Sequence, residues 1–349
     1  MNYSSYINYI PYITTWAVKK LFRKGIKIDF YCGSLVDYTC FKKVHQHFPQ
    51  VRVVAKTRSI QKALERENVK SILYPSFPDI VIMSRHSTRK YPGKSIKKIG
   101  MRHGPYHFKN FINARFYNQF DSFMFTSPTE ALQAKERGIN NGIGVGYPKM
   151  DDAFDGTISA ISVMDYRYKA NLDSVKPTII FTATWNKTNY SAVEKWASRL
   201  NELTPDYNIL VTVHDWTTQD IKDVITKTPG IFYIKDKNVL PYLMIADLFV
   251  GDISSIIAEF CALNKPMITF KILEGKRTTD EIITMLDEMT FRVDTFEELK
   301  EIIPQALTTE KNLHEAKRNH YNKIMFGDLD GKAHLRARDV IQKYIEEVK

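Results

Sequence analysis

Short apolar runs alternate with helical patterns along most of this 349-residue chain. In the first half, the runs are the candidate strands 26–32, 51–55, 79–84, 96–101, 122–127 and 143–148. In the second half they are 177–184, 208–214, 231–234, 247–252 and 266–270, and helical patterns fill gaps such as 191–203, 217–226 and 254–263. Because strands that alternate with helices form parallel sheets covered on both faces, the sequence predicts an α/β fold.

The two series of strands predict two Rossmann-like lobes whose parallel sheets face each other across a cleft. The series meet near residues 150–176. We expect an N-terminal lobe over 1–160, a C-terminal lobe over 161–330, and a terminal helix over 331–349 that returns to the first lobe. The chain is long enough for two separate cores.

Several features indicate a cytoplasmic protein. No apolar run approaches the roughly 18 residues of a membrane span, and the N-terminal charges follow the apolar part instead of preceding it as in a secretory signal. The three cysteines, Cys32, Cys40 and Cys261, show neither metal-binding nor redox spacing. The histidines have no ligand spacing either, so we expect no metal site.

The net charge of +11 is divided unevenly between the halves. Residues 1–150 contain 25 Lys and Arg against 8 Asp and Glu, a net +17, whereas residues 151–349 contain 25 against 31, a net −6. This asymmetry predicts that the first half meets an anionic partner, such as a membrane surface or a polyphosphate-like polymer. The alternative is a solvated basic face without a partner. We expect no nucleic acid, because no nucleic-acid-binding motif accompanies the charge.

The segment "GDISS" (251–255) follows an apolar strand and opens an apolar helix. The first amides of a helix lack intrahelical partners, and the helix dipole is positive there. With Gly251 allowing close approach and the hydroxyls of Ser254 and Ser255 as donors, the turn predicts a phosphate or diphosphate site. The alternatives are that a serine merely caps the helix, and that Asp252 does so.

Histidines follow two other candidate strands. In "MRHGPYHFKN" (101–110), the Gly-Pro turn places His103 at the sheet edge, where a neutral imidazole can accept a proton from a hydroxyl. Arg102, His107 and Lys109 in the same loop suit a negatively charged substrate. His214 ends the strand 208–214 of the second lobe. The alternatives are a surface turn for the first loop and a structural histidine at 214.

These segments occur in an order that resembles the CDP-glycerol glycerophosphotransferase family, the teichoic-acid primase and polymerase type of enzyme. The matching segments are "HGPYHFK" (103–109), "GYPKMD" (146–151), "ATW" (183–185), "VTVHD" (211–215), the block 246–270 and "GDLDGKAHLRARDVI" (327–341). The resemblance covers roughly 95–341. It implies a GT-B architecture and a metal-independent reaction. In that reaction, a polyol phosphate passes from a CDP-activated donor to a hydroxyl of a cell-surface polymer or its lipid-linked precursor, with release of CMP.

The resemblance also implies residue roles. His103 would be the general base, and His214 would steady charge on the transferred or leaving phosphate. The donor diphosphate would be bound by the turn that contains Gly251, Asp252, Ser254 and Ser255. The nucleotide or donor would contact Thr184, Trp185, Asn238 and Glu259. Arg102 and Lys109 would bind phosphate on the acceptor side.

Departures from the family pattern leave the donor open. Asp215 replaces the proline after His214, Ile253 replaces a tyrosine, and Asn238 stands where an acidic residue is expected. Glycerol phosphate, ribitol phosphate or a sugar phosphate would fit equally well. The alternatives are a GT-B glycosyltransferase or nucleotide-sugar 2-epimerase that uses a UDP-sugar, and a non-catalytic module that binds anionic polymer.

The N-terminal segment has helical spacing and then a basic cluster. The spaced residues are Tyr6, Ile7, Ile10, Ile13, Ala17 and Leu21, interrupted by Pro11, and the cations that follow are Lys19, Lys20, Arg23, Lys24 and Lys27. Such a segment either lies on the anionic inner face of the cell membrane or packs as an ordinary helix against the first sheet.

Overall fold

The computed structural model describes residues 9–105, 113–186, 190–272 and 279–348. They divide into two compact units. Unit 1 contains the described residues of 1–105, 111–151 and 326–349, and unit 2 contains those of 152–325. Each unit is built on a parallel sheet, as the alternation of strands and helices predicts.

The sheet of unit 1 has the strand order β3-β2-β1-β4-β5-β6-β7, and all of its pairs are parallel. Its strands are β1 (Ile28–Cys32), β2 (Arg52–Ala55), β3 (Ser71–Leu73), β4 (Ile80–Met83), β5 (Lys97–Met101), β6 (Ser122–Phe125) and β7 (Gly142–Gly144). The sequence predicts all of these except β3, a partly exposed edge strand of three residues without a continuous apolar run.

Helices flank this sheet and close its core. They are α1 (Tyr9–Leu21), α2 (Leu35–His45), α3 (Arg58–Arg66), α4 (Ala114–Tyr117) and α5 (Pro128–Glu136). The central strands are buried along their whole length, including Phe30, Tyr31 and Phe125. Continuous apolar strands are what a sheet covered on both faces requires.

The sheet of unit 2 has the strand order β10-β9-β8-β11-β12-β13, again with parallel pairs. Its strands are β8 (Thr178–Ala183), β9 (Asn208–Val213), β10 (Ile231–Tyr233), β11 (Leu248–Gly251), β12 (Met267–Phe270) and β13 (Phe291–Val293). The sequence predicts all but the short edge strand β13. Trp196, Phe181 and Val250 lie in one buried cluster beside this sheet.

The helices of unit 2 are α6 (Ala160–Lys169), α7 (Val193–Trp196), α8 (Gln219–Lys227), α9 (Leu240–Ile245), α10 (Ile256–Ala262), α11 (Asp280–Met289), α12 (Phe296–Leu307) and α13 (Glu315–Phe326). The single helix predicted over 191–203 is instead α7 followed by a 3₁₀ turn at Leu200–Glu202. Both parts still bury their apolar side chains, among them Trp196 and Leu200. The predicted spacing is therefore kept, while the backbone bonds tighten to i→i+3.

The last helix, α14 (Ala333–Val348), packs on unit 1. The carboxylate of Asp151 accepts the backbone amides of Ala333 at 3.1 Å and His334 at 2.6 Å. Gly146 has a φ of +90°, and a Cβ atom there would lie 2.7 Å from the Cβ atom of Ala333. The matching segments 146–151 and 327–341 therefore hold each other in place. This gives them a structural role.

Helix α1 packs against unit 1 with one face and leaves another exposed. Trp16 is buried and its Nε1 donates to the carbonyl of Pro78 at 2.6 Å, while Tyr12 donates to the carbonyl of Ser76 at 2.6 Å. On the exposed side, Leu21 and the following Phe22 are 81% and 86% accessible. Within the described part of the chain, no helix has the length and apolar character needed to cross a membrane.

Candidate functional site

In each unit, the predicted site residues follow strands that are neighbours in the sheet. In unit 1, the ends of β1, β4 and β5 lie side by side. In unit 2, the same holds for β9, β8 and β11. Parallel strands end at one edge of a sheet, and ligands of open parallel sheets generally bind there, so the loops after these strands form the candidate ligand-binding edge of each unit.

His103, two residues after β5, is arranged as a proton acceptor. Its Nδ1 atom lies 2.9 Å from the carbonyl oxygen of Ser84. A carbonyl only accepts, so Nδ1 donates, and in the neutral ring the lone pair is on Nε2. Burial, and secondly the charge of Arg85, lower the pKa of His103 from its ordinary value. The ring is therefore neutral near pH 7, the state that a general base requires.

The environment of Arg102 argues against its predicted contact with an acceptor phosphate. Its side chain is 10% exposed, and its guanidinium forms an ion pair with the fully buried Glu130 at 2.6 Å. A second bond runs from its Nη1 to the hydroxyl of Tyr117 at 3.1 Å. The guanidinium of Arg102 is thus bonded to protein side chains inside unit 1. The other residue predicted on the acceptor side, Lys109, lies outside the described residues, as does His107.

In His214, which follows β9, Nδ1 is a hydrogen-bond acceptor, whereas in His103 it is a donor. The Nδ1 atom of His214 accepts the backbone amide of Trp216 at 3.1 Å, so the neutral ring carries its proton on Nε2. Trp185 and Trp216 contact the ring, with centroid distances of 6.2 and 5.3 Å. Desolvation lowers the pKa of His214. A neutral ring with a proton on Nε2 is a hydrogen-bond donor, which suits contact with a phosphate oxygen.

Asp252, after β11, is a buried hub of hydrogen bonds. Its carboxylate accepts the amide and hydroxyl of Thr184 at 3.0 and 2.8 Å, the amide of Ala192 at 3.0 Å and the amide of Ser254 at 3.0 Å. The residue has no exposed surface, and burial raises its pKa. The sequence predicts that Asp252 contacts the diphosphate. In the structure its carboxylate is buried and accepts from protein donors, so it holds the turn in place and is not arranged for that contact.

Neither serine of the 251–255 turn caps the following helix. Ser255 occupies the N-cap position of α10 without a side-chain hydrogen bond to it. Ser254 is half-buried and Ser255 is exposed, so neither residue is closed off in the core. Gly251, by contrast, is buried: a Cβ atom there would lie 2.7 Å from the ring of Phe249 and 2.9 Å from the hydroxyl of Thr182. The lack of a side chain at Gly251 therefore allows close packing of protein atoms, whereas the sequence predicted close approach of a phosphate. The capping alternative for the serines is wrong, and their contact with phosphate stays a prediction.

The residues predicted around the nucleotide have distinct environments. Thr184 is tied to Asp252, and Trp185 belongs to the aromatic group with His214. The side-chain oxygen of Asn238 accepts the amide of Leu240 at 3.3 Å. Glu259 is buried in α10 instead of facing solvent. The structure thus brings Thr184, Asp252 and Ser254 together, whereas Asn238 has a local role at the start of a helix.

Sequence reasoning missed two groups at these edges. Trp216 completes the aromatic group around His214, and its place two residues after a strand-end histidine was the available signal. Arg85 lies two residues after β4 and next to Ser84, whose carbonyl contacts His103, and it forms an ion pair with Asp37. Its position directly after the predicted strand 79–84 was the available signal. Phosphate binding is predicted for Arg102, which follows the predicted strand 96–101, and not for Arg85.

Comparison with known proteins gives a family match over most of the chain. The family model described as CDP-Glycerol:Poly(glycerophosphate) glycerophosphotransferase matches residues 41–343. The teichoic acid poly(ribitol-phosphate) polymerase of Bacillus spizizenii is 26% identical over 219 residues, which cover 58% of this chain and 34% of the polymerase. The match therefore spans about a third of that relative's length.

Solved structures share the fold at low identity. The wall teichoic acid polymerase TagF matches with a TM-score of 0.70 and 14% identity, covering 99% of each chain. The S. aureus protein MnaA, in a structure with UDP, matches with a TM-score of 0.62 and 14% identity, covering 92% of this chain and 97% of its own. At such identities the likeness shows the fold alone. It confirms the predicted GT-B fold class with two Rossmann-like parallel sheets.

Proposed function

We propose the activity of this chain from one premise: the chain belongs to the CDP-glycerol:poly(glycerophosphate) glycerophosphotransferase family. The activity is transfer of a polyol phosphate from a CDP-activated donor to a hydroxyl of a teichoic-acid-type or capsule polymer, or of its lipid-linked precursor, with release of CMP. We propose that the reaction needs no metal ion or other cofactor.

The observation that carries this proposal is the state of His103. Its Nδ1–H is held by the carbonyl of Ser84, and its lone pair is on Nε2. In the proposed reaction, Nε2 takes the proton of the acceptor hydroxyl. The oxygen then forms a bond to the distal phosphorus of the donor, and the bond from that phosphorus to the oxygen shared with CMP breaks. The electron pair leaves with CMP.

In unit 2, we assign the donor to the edge formed by the ends of β8, β9 and β11. Ser254 and Ser255 supply hydroxyls for the diphosphate, and Asp252 fixes the turn that carries them. His214 supplies an Nε2–H donor for charge on the phosphates. Fixed donors of this kind typically contribute about 3–4 kcal/mol each to lowering a barrier, because they need no reorganisation as charge develops.

Ligand binding to the purified protein tests the donor class. We expect CDP-glycerol, CDP-ribitol or CMP to raise the melting temperature, and UDP-sugars and UMP to leave it unchanged. Ser254→Ala/Ser255→Ala should abolish the cytidine-dependent shift, since it removes both hydroxyls. Ser159→Ala, an exposed N-cap serine on α6 of the same unit, is the matched control. Stabilisation by uridine ligands instead would favour a glycosyltransferase or 2-epimerase and contradict the proposal.

For the finer question of location, we propose a cytoplasmic enzyme that contacts the anionic face of the membrane through helix α1. Leu21 and Phe22 are exposed beside the exposed cation Lys24, so an apolar edge lies next to a basic one. Cations near an anionic bilayer contribute about 1 kcal/mol each. The net positive charge of the first 150 residues supports the same contact with an anionic membrane face.

Vesicle sedimentation tests this contact. The wild-type chain should sediment with phosphatidylglycerol-containing vesicles and remain in solution with pure phosphatidylcholine. Leu21→Asp should weaken sedimentation, because it puts a carboxylate in the apolar edge. Leu132→Asp changes another exposed leucine of unit 1 and should have no effect. Equal binding by the two variants would contradict a role for α1.

A further inference from the structure

A second group of side chains lies at the edge of unit 1 that holds His103. Strands β1, β4 and β5 are neighbours, and the residues that follow them include Gly33, Arg85 and His103. The positive charge of Arg85 is the largest influence on the pKa of His103 after burial. Arg85 is therefore close enough for its charge to act on the ring of the proposed base.

One edge of the Arg85 guanidinium is fixed by protein atoms. Its Nε donates to the carboxylate oxygens of Asp37 at 3.0 and 3.1 Å, and its Nη2 donates to the hydroxyl oxygen of Ser34 at 3.1 Å. Asp37 is fully buried and also accepts the amide of Gly33 at 2.9 Å. The described residues provide no acceptor for Nη1, and 45% of the side chain is exposed.

This arrangement depends on a glycine. A Cβ atom at Gly33 would lie 2.9 Å from the Oδ2 atom of Asp37 and 3.3 Å from the Cδ atom of Arg85. A side chain at 33 would therefore displace the carboxylate or the arginine that it holds. The contrast with Arg102 is clear: that guanidinium is 10% exposed and paired with Glu130, while Arg85 keeps a solvent-facing edge beside the base.

We propose that Arg85 binds a phosphate group of the acceptor, namely the phosphodiester nearest to the hydroxyl that His103 deprotonates. The inference rests on the proposed function, because it takes the acceptor to be a polyol-phosphate chain. A guanidinium offers a fork of N–H donors that matches phosphate oxygens. The Ser34 hydroxyl accepts from Arg85 and keeps a proton of its own that can be donated to the same anion. Asp37 is a positioning residue.

The test compares an anionic and an uncharged acceptor. Each variant is assayed with a synthetic glycerol-phosphate oligomer and with an uncharged alkyl glycerol, at saturating CDP-activated donor. In Arg85→Gln, the ratio of kcat/KM for the oligomer to kcat/KM for the alkyl glycerol should fall by about tenfold or more, as for loss of a charge-assisted bond. Both acceptors are assayed at alkaline pH, where His103 is deprotonated in both proteins, because the charge of Arg85 also acts on the pKa of His103. Arg85→Lys should keep part of the preference, because it retains the charge without the fork. Arg66→Gln removes an exposed cation from the same unit and should behave as wild type.

Direct binding separates this inference from the proposed function. Binding of a fluorescent glycerol-phosphate oligomer, measured by anisotropy, should weaken about tenfold in Arg85→Gln relative to Arg66→Gln. If the wild type transfers polyol phosphate but Arg85→Gln lowers kcat/KM for both acceptors by the same factor, or for neither acceptor, the role of Arg85 is refuted. If the wild type transfers nothing from CDP donors, the proposed function fails, and the anisotropy difference still decides for or against Arg85. Melting temperatures identify a variant that fails to fold, in which case Arg85→Lys gives the decision.

Discussion

At the scale of single residues, the two strand-end histidines differ in which ring nitrogen carries the proton. For His103 the partner of Nδ1 is a carbonyl, and for His214 it is an amide. One Nε2 is therefore an acceptor and the other a donor. Abstraction of a proton from a hydroxyl needs the first, and stabilisation of phosphate charge needs the second. The two rings are suited to different roles in one reaction.

The pH dependence of kcat/KM should report His103. Its pKa is lowered from the ordinary value of about 6.5, so the base is mainly deprotonated at neutral pH, and activity should fall only as the pH drops below that ordinary value. Loss of the base in His103→Gln should lower kcat by about 10²–10⁴-fold and remove this acid limb. The measurement is a pH–rate profile of CMP release. An acid limb that persists in the variant would mean that another group is the base.

His103 and His214 could be predicted as site candidates because both lie within two residues of the end of an apolar strand. The proton positions could not, because they depend on the Ser84 carbonyl and the Trp216 amide, which the fold brings to the rings. Arg102 and Arg85 illustrate the same limit. Both follow strands, and only packing decides that Arg102 pairs with Glu130 while Arg85 keeps an exposed edge.

At the scale of elements, Asp252 joins three parts of unit 2. It accepts from the turn after β8, from the residue that precedes α7 and from the turn after β11. A fully buried carboxylate is costly unless donors satisfy it, and these donors do so. The rigidity of the proposed donor site thus depends on one buried side chain whose carboxylate accepts from protein donors.

Asp252→Asn should therefore weaken donor binding through the turn. The amide group places an N–H where a backbone donor needs an acceptor, which costs about 1–3 kcal/mol of unfolding free energy per orphaned group. We expect a lower melting temperature and a higher KM for the donor. Asp165→Asn, at an exposed position of unit 2, is the control and should change neither. A variant with wild-type stability and donor KM would contradict the hub role.

Element type followed well from the sequence wherever strands were continuous and buried. The missed strands, Ser71–Leu73 and Phe291–Val293, are three-residue edge strands. They lack the apolar length that marks a strand, and only pairing with a neighbour defines them. The role of the 146–151 and 327–341 segments was hidden for a similar reason, since they are far apart in sequence and meet only in the folded unit.

At the scale of the whole molecule, charge and fold point to an anionic substrate on the unit 1 side. The first 150 residues carry a net +17, and the remainder a net −6. This division of charge predicts an anionic partner for the first half, and the alternation of strands and helices predicts the two parallel sheets. Neither feature specifies the acceptor. The acceptor is set by individual side chains such as Arg85, whose placement depends on the buried Asp37 and on Gly33.

The central claim is that the chain transfers a polyol phosphate from a CDP donor. It is tested most directly by incubating the protein with labelled CDP-glycerol or CDP-ribitol and a glycerol-phosphate oligomer, and by measuring both CMP release and label in the oligomer. We predict equimolar CMP and transferred label for the wild type, and formation of both slowed by about 10²–10⁴-fold in His103→Gln. No transfer from either CDP donor, together with turnover of a UDP-sugar, would contradict the account.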